Sequence, residues 1–268
     1  MSSAMPTTFF GWVYFLLQEY GVVLFKGAVV TLILAIVGTL IGCVIGLIVG
    51  IIETIPEDKN ASALTRFLLK CEKRILDAYV EVFRGTPMIV QSMVVYYGAM
   101  SVFSIDMSPL FAGFLVVSIN TGAYMAESMR GGIDSVDPGQ KEAAVAIGMD
   151  HFQAMRCVIL PQAVRNILPQ IGNNLIINIK DTSVLNVISV TELYFASKSA
   201  AGVYYKYFEI FFITCIIYFI MTFTASRLIR WWESKIDGPD AYVLVHDPLA
   251  DPTGIVAPPI TTIPKKGQ

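Results

Sequence analysis

Charged residues vanish from long stretches of this chain and crowd into the segments between them. Five uncharged runs stand out, at 27–52, 85–105, 107–126, 166–179 and 210–226. The first holds 26 residues, about 39 Å of helix, more than the roughly 30 Å of a bilayer's hydrocarbon core. The runs at 85–105 and 107–126 are also long enough to cross. The run at 166–179 gains the length only if its ends, near Pro161 and Asp181, lie in a protein-lined or wet zone. One such run would suit a buried core helix. Five of them in 268 residues predict an all-α integral membrane protein. The last three spans are placed at about 109–130, 157–180 and 207–230.

The segments between and beyond the spans have their own patterns. Residues 9–19 are aromatic-rich and too short to cross, which suits a separate helix in the membrane interface, where Trp and Tyr are favoured. This gives an outer N-terminal segment at 1–20, a transmembrane domain at 21–237 and a cytoplasmic, mobile tail at 238–268 that carries six prolines. Within the first span, Gly38, Gly42, Gly46 and Gly50 recur every four residues and form a smooth strip where another backbone can come close. Residues 64–83 are amphipathic with many charges, and Arg84-Gly85-Thr86-Pro87 marks a turn before the second span.

Composition agrees with the pattern: 55% of residues are hydrophobic and 15% charged, against about a quarter charged in soluble domains. Of the 19 Lys and Arg residues, only Lys26, Lys180, Lys198 and Lys206 lie off the side that holds 53–84, 130–165 and the C-terminal segment. The positive-inside rule then places the N-terminus outside and the C-terminus in the cytoplasm. The four cysteines, Cys43, Cys71, Cys157 and Cys215, lack metal-ligand spacing and read as packing residues. Residues 1–18 lack the basic start and cleavage site of a signal peptide.

The loop at 131–156 carries the most information. Asp137 is a good N-cap, Pro138 suits the first helical position, and Gln140 is placed to close a capping box. The short helix contains Glu142-Ala143-Ala144 and stops at Gly148, suited to a left-handed C-terminal position. Asp150 caps a second helix, with Gln153 at the capping-box position. Ile147, Met149 and Phe152 put apolar groups on a loop with no core of its own. Local physics leaves two readings open: a docking surface, or a helical connection resting on the membrane.

At these residues the chain resembles the permeases of bacterial ATP-binding-cassette (ABC) importers. Glu142-Ala143-Ala144, Gly148 and Val158-Ile159-Leu160-Pro161 look like their "EAA" loop, with Val158 a mild departure from the usual Ile. Phe83-Arg84-Gly85-Thr86-Pro87 with Val90-Gln91, Ala126-Glu127 with Arg130-Gly131-Gly132-Ile133, and Lys180-Asp181-Thr182-Ser183 are similar to the polar amino-acid branch, of histidine, glutamine, glutamate or arginine type. The resemblance covers roughly 26–237. It implies the five-helix type I importer fold, in which the loop fits a groove on a separate ATPase subunit. ATP and Mg would be bound by that partner, since this chain has no Gly-x-x-x-x-Gly-Lys-Ser/Thr sequence. Glu142, Ala143, Ala144, Gly148, Asp150 and Phe152 are the implied coupling residues. A second permease chain, identical or paralogous, is implied too, as is an extracytoplasmic amino-acid-binding protein landing on 103–109 and 181–206. No nucleic acid is expected.

Two spans carry polar residues that facing lipid would leave unsatisfied. Asn166, Gln170, Asn174 and Asn178 recur every four residues, and Asn120, Tyr124 and Glu127 fall on one face of their span. A path for a polar amino acid is one reading; hydrogen bonding between helices is the other. Glu127 is expected to pair with Arg130 or Arg84. Arg84, Gly85, Pro87, Glu127, Pro161, Pro169, Lys180 and Asp181 are structural or gating candidates, the prolines because they break the helical ladder. The competing functions are an ion-coupled secondary carrier or channel for small polar solutes, and a membrane enzyme. An enzyme is not expected, because His151 and His246 are the only histidines and neither belongs to a Ser-His-Asp set. Within the family reading, an opine or a sulfur-containing amino acid is also an admissible substrate.

Overall fold

Nine α-helices and no strand make up the described residues, 5–55 and 62–236, of the computed structural model. They are α1 (Phe9–Thr54), α2 (Ala63–Gly85), α3 (Met88–Phe103), α4 (Pro109–Asp134), α5 (Pro138–Ala146), α6 (His151–Ala154), α7 (Leu160–Asp181), α8 (Leu193–Tyr204) and α9 (Tyr207–Ile236). A π-helical turn, Met155–Ile159, joins α6 to α7, and a 3₁₀ segment, Thr182–Ile188, follows α7. The tail expected at 238–268 lies outside the described residues.

Among the described residues, three helices are long and apolar enough to cross a membrane: α1, α4 and α9. The other two expected crossings differ for physical reasons. α3 has only 16 residues, about 24 Å, because Pro87 interrupts the helix. The last turns of α2 extend it, with Val80 packed against Val49 and Ala126. α7 has 22 residues but carries Asn and Gln along its length, so it is long enough to cross but much less apolar than α1, α4 and α9.

Residues 9–19 do not form the separate helix expected for them. They continue into α1 as one helix of 46 residues, about 69 Å long. Nothing between Phe9 and Gly27 stops a helix: there is no proline, and Gly21 faces open space. Trp12 and Leu16 are buried against α8 and α9. The Trp12 ring lies 5.8 Å from Tyr204 and takes the Lys206 ammonium at 4.8 Å. The aromatic content that favours an interface therefore also stitches α1 to the chain's second half. The cysteines likewise depart from expectation. Cys43 is half-buried, but Cys71, Cys157 and Cys215 are exposed and do not pack the core.

The glycine strip is a helix seam. Gly38, Gly42, Gly46 and Gly50 of α1 face Val117, Thr121, Met125 and Met129 of α4, residue for residue. A Cβ at Gly46 would stand 2.7 Å from the Ala126 amide nitrogen, and one at Gly50 would stand 2.7 Å from the Met129 Cβ. Both ridges step by four residues, so the two backbones stay close along the whole strip. One buried amide then locks a third helix to the seam. Asn178 of α7 donates from Nδ2 to Thr39 Oγ1 of α1 (2.8 Å) and Thr121 Oγ1 of α4 (2.9 Å).

Two stability predictions follow. Gly46→Ala should destabilise by about 1–3 kcal/mol through overpacking, whereas Gly98→Ala in α3, where a Cβ meets nothing within 4 Å, should be neutral or gain up to about 1 kcal/mol in helix propensity. Melting followed by the monodisperse fraction in detergent separates them; equal melting temperatures would sink the seam. Asn178→Ala should cost about 1 kcal/mol, at roughly 0.6 for each lost interhelical bond. An unchanged melting temperature with transport abolished would return Asn178 to the substrate path.

Candidate functional site

The loop between α4 and α7 caps itself. Asp137 accepts from the Gly139 amide at 2.8 Å, and Pro138 occupies the first turn of α5. The capping box expected through Gln140 does not form: the Gln140 amide donates to the Asp137 carbonyl oxygen at 2.9 Å, not to the carboxylate. At the other end the expectation holds. The Gly148 amide donates to Val145 O (2.9 Å) and the Met149 amide to Ala144 O (3.0 Å). With Gly148 at φ +86°, this is a Schellman stop. No atom crowds the position of a Gly148 Cβ, so conformation alone demands glycine there. Asp150 and Gln153 form a full reciprocal capping box, at 2.8 and 3.0 Å.

This scaffold divides the loop's side chains. Ala144 and Ala154 are buried against the loop's own helices, while Glu142 and Ala143 face out. Ile147 and Phe152 are 76% and 70% exposed, so two large apolar groups stand uncovered on a loop held by five capping bonds. The loop reaches α7 through the π turn. There the Leu160 amide donates five residues back, to Met155 O, next to Pro161, which has no amide proton to give. Pro169 lies inside α7 and leaves the carbonyl four residues earlier without its usual donor.

The polar ladder of α7 does not line one face. A four-residue step overshoots the 3.6-residue turn by about 40°, so over 166–178 the ladder swings about 120° around the helix. Asn174 and Asn178 are buried, whereas Asn166, Gln170 and the intervening Asn173 are exposed. Asn178 spends its amide on Thr39 and Thr121, and Asn174 donates to Gln170 O at 3.0 Å. Asn166 donates to Ser135 Oγ at the loop's start, at 2.9 Å. Within this chain, then, Asn178 and Asn174 are internal hydrogen-bonding groups rather than members of one open polar row. Lys180 and Asp181 are exposed at α7's end.

The Arg84–Pro87 turn is a second polar knot. Gln91 Nε2 donates to Phe83 O (2.8 Å) and Thr86 O (2.9 Å), which the helix break leaves without donors. Asn120 of α4 donates to Gln91 Oε1 (2.9 Å) and Phe83 O (3.2 Å). Asn120 therefore splices α4 to the break. Gly85 and Pro87 are exposed at it. Glu127 pairs with both expected partners, Arg130 at 2.6 Å and Arg84 at 3.2 Å. Arg84 also lies 5.8 Å from the ring centre of the exposed Tyr124.

The sequence reading missed one residue altogether. Glu192 is fully buried at the start of α8. Its carboxylate accepts from the amides of Tyr194 and Phe195 (2.8 Å each), from Tyr218 OH of α9 (3.1 Å) and from Thr31 Oγ1 of α1 (3.4 Å). Its sequence signal is a lone acidic residue in the otherwise uncharged stretch 182–197.

The family of binding-protein-dependent transport system inner membrane components matches residues 63–238. The arginine transport permease ArtQ of Bacillus subtilis is 31% identical over 166 residues, covering 62% of this chain and 76% of its own. The nopaline transport permease NocM of Agrobacterium fabrum is 34% identical, covering 58% of this chain and 69% of its own. Among solved structures, a crystal structure of an amino acid ABC transporter with histidines superposes with a TM-score of 0.72 at 37% identity, over 85% of this chain and 99% of that one. The methionine transporter MetNI shares the fold, with a TM-score of 0.61 at 21% identity over 78% of this chain and 95% of its own. Matched over most of its length and threaded by three long apolar helices, the chain belongs to the binding-protein-dependent transport system inner membrane components, as a multi-pass protein of the cell membrane.

Proposed function

We propose that this chain is one permease of a pair that imports a polar amino acid by alternating access, driven by a separate ATPase that binds ATP and Mg. Membership of an ABC-importer family is established above; the substrate, direction and partners are the proposal. The observation that carries it is the self-capped loop with Ile147 and Phe152 uncovered. A loop this ordered and this apolar on the outside needs a protein partner, and a grooved ATPase surface suits it. Relatives named for arginine and nopaline transport support an amino-acid substrate. The exposed Asn166, Gln170 and Asn173 support a second permease or a water-filled path beside α7, because lipid would not satisfy them. The basic residues between spans support a cytoplasmic position for the loop and an outer position for the N-terminus. An extracytoplasmic binding protein would then land on 103–109 and 181–206.

The test is ATP hydrolysis in proteoliposomes holding this chain, its ATPase and its binding protein. Polar amino acids should stimulate hydrolysis and uptake, and Glu142→Lys should uncouple the two or release the ATPase. Uptake that needs no ATPase and follows an ion gradient would instead make the chain a secondary carrier. Gly148→Ala forces a side chain into the left-handed region at a cost of about 1–2 kcal/mol. It should lower stimulated hydrolysis roughly tenfold, while the melting temperature falls by no more than the few degrees that this cost implies for a chain of this size. Unaltered hydrolysis would show that the loop's stop is not part of coupling.

A further inference from the structure

α2 presents three faces, and the bundle uses only one. Lys73, Leu76, Tyr79, Val80 and Phe83 face the bundle. Val80 packs on Val49 and Ala126, and Tyr79 donates to Ile119 O of α4 at 2.6 Å. Lys73 donates to the last carbonyls of the first span, Glu53 O at 2.7 Å and Ile55 O at 2.6 Å. The second face is apolar and uncovered. Leu64, Phe67, Leu68, Ile75 and Val82 are each 55–69% exposed, with Cys71 exposed among them. At about 100° per residue these positions fall within roughly 60° of one line down the helix. The third face begins with Arg66, Lys70 and Arg74, three cations one helical turn apart, and becomes acidic only at Asp77 and Glu81.

Two features say what covers the apolar stripe. One is depth. Lys73 ties α2 to the point where α1 runs out of apolar residues, so the first three turns of α2 start at the edge of the hydrocarbon. The other is charge. A basic ridge beside an apolar stripe on one helix is the pattern that binds an anionic lipid surface. A soluble protein groove would have to match a stripe that continues without a break into the membrane-level turns at Ile75 and Val82.

We propose that the uncovered stripe of α2 docks on anionic phospholipid at the bilayer surface, with Arg66 and Arg74 on the headgroups. The side of the membrane rests on the orientation given under Proposed function; the lipid contact itself does not. The docked helix would hold the α2–α3 break, and with it the Arg84–Glu127 pair, at a fixed depth.

The full chain is tested in its complex, with Cys71 as the single cysteine carrying an environment-sensitive fluorophore. Vesicles are made from phosphatidylcholine alone or with phosphatidylglycerol added. With phosphatidylglycerol, a nitroxide on the lipid acyl chains should quench the probe and aqueous iodide should not. Arg66→Gln with Arg74→Gln should lower the docked-to-undocked ratio about 30-fold, at roughly fivefold for each basic group near an anionic surface. Leu68→Ser should lower it with the charges intact. Both sites are exposed, and monodisperse elution checks that the variants fold. Three results would overturn the proposal: iodide quenching in both vesicle types, equal nitroxide quenching in both, or protection from both quenchers, which would mean that protein covers the stripe. Membrane sidedness is read separately, from labelling of Cys71 by an impermeant maleimide in right-side-out and inverted vesicles. An outward-facing Cys71 would overturn the orientation and leave the lipid result standing.

Discussion

The close approach of α1 and α4 is the constraint on which the rest of the structure depends. Lipid tails are as apolar as the helices, so burial of apolar surface gives helices in a bilayer little reason to associate. Van der Waals contact and hydrogen bonds must hold them, and both need short distances. Gly38, Gly42, Gly46 and Gly50 supply those distances over four turns. Once α1 and α4 are that near, Thr39 and Thr121 are close enough to share one Asn178 amide. α7 is thereby fixed against both, and the loop that precedes α7 inherits its position.

How legible each part was depended on whether a local pattern carried it. Glycine spacing announced the seam because a ridge of missing side chains means little unless another backbone fills it. Gly148 and the Asp150–Gln153 box were readable because caps depend on neighbouring residues only. The Asp137 cap was half-readable: sequence named the residue, but the choice between the second and third amide of the turn is decided by backbone angles. Glu192 was illegible in role, since its partners outside α8, Thr31 of α1 and Tyr218 of α9, lie 161 and 26 residues away in sequence. The α7 ladder misled for a simpler reason. A four-residue repeat looks like a face over two steps and becomes a spiral over three, so Asn166 and Asn178 cannot point the same way.

The polar groups inside this protein divide by what they satisfy. Gln91, Asn120 and Lys73 answer carbonyls freed where helices end or break. Asn178 and Glu192 join helices to one another. Neither set is free to meet a solute without undoing a contact already made. The exposed Gln170 and Asn173, the Arg84–Tyr124 pair and the Lys180–Asp181 end of α7 are polar surface open to something beyond the chain.

The self-capped loop has a consequence for how association is timed. A segment that must fold on its partner gives up conformational freedom at the moment of contact, which weakens binding and ties its rate to a folding step. Here residues 137–153 are capped by bonds within the chain, at Asp137, the Gly148 stop and the Asp150–Gln153 box, so their shape needs no partner to form. Whatever lands on Ile147 and Phe152 meets a finished shape. A partner of that kind would attach and leave without refolding the surface between them.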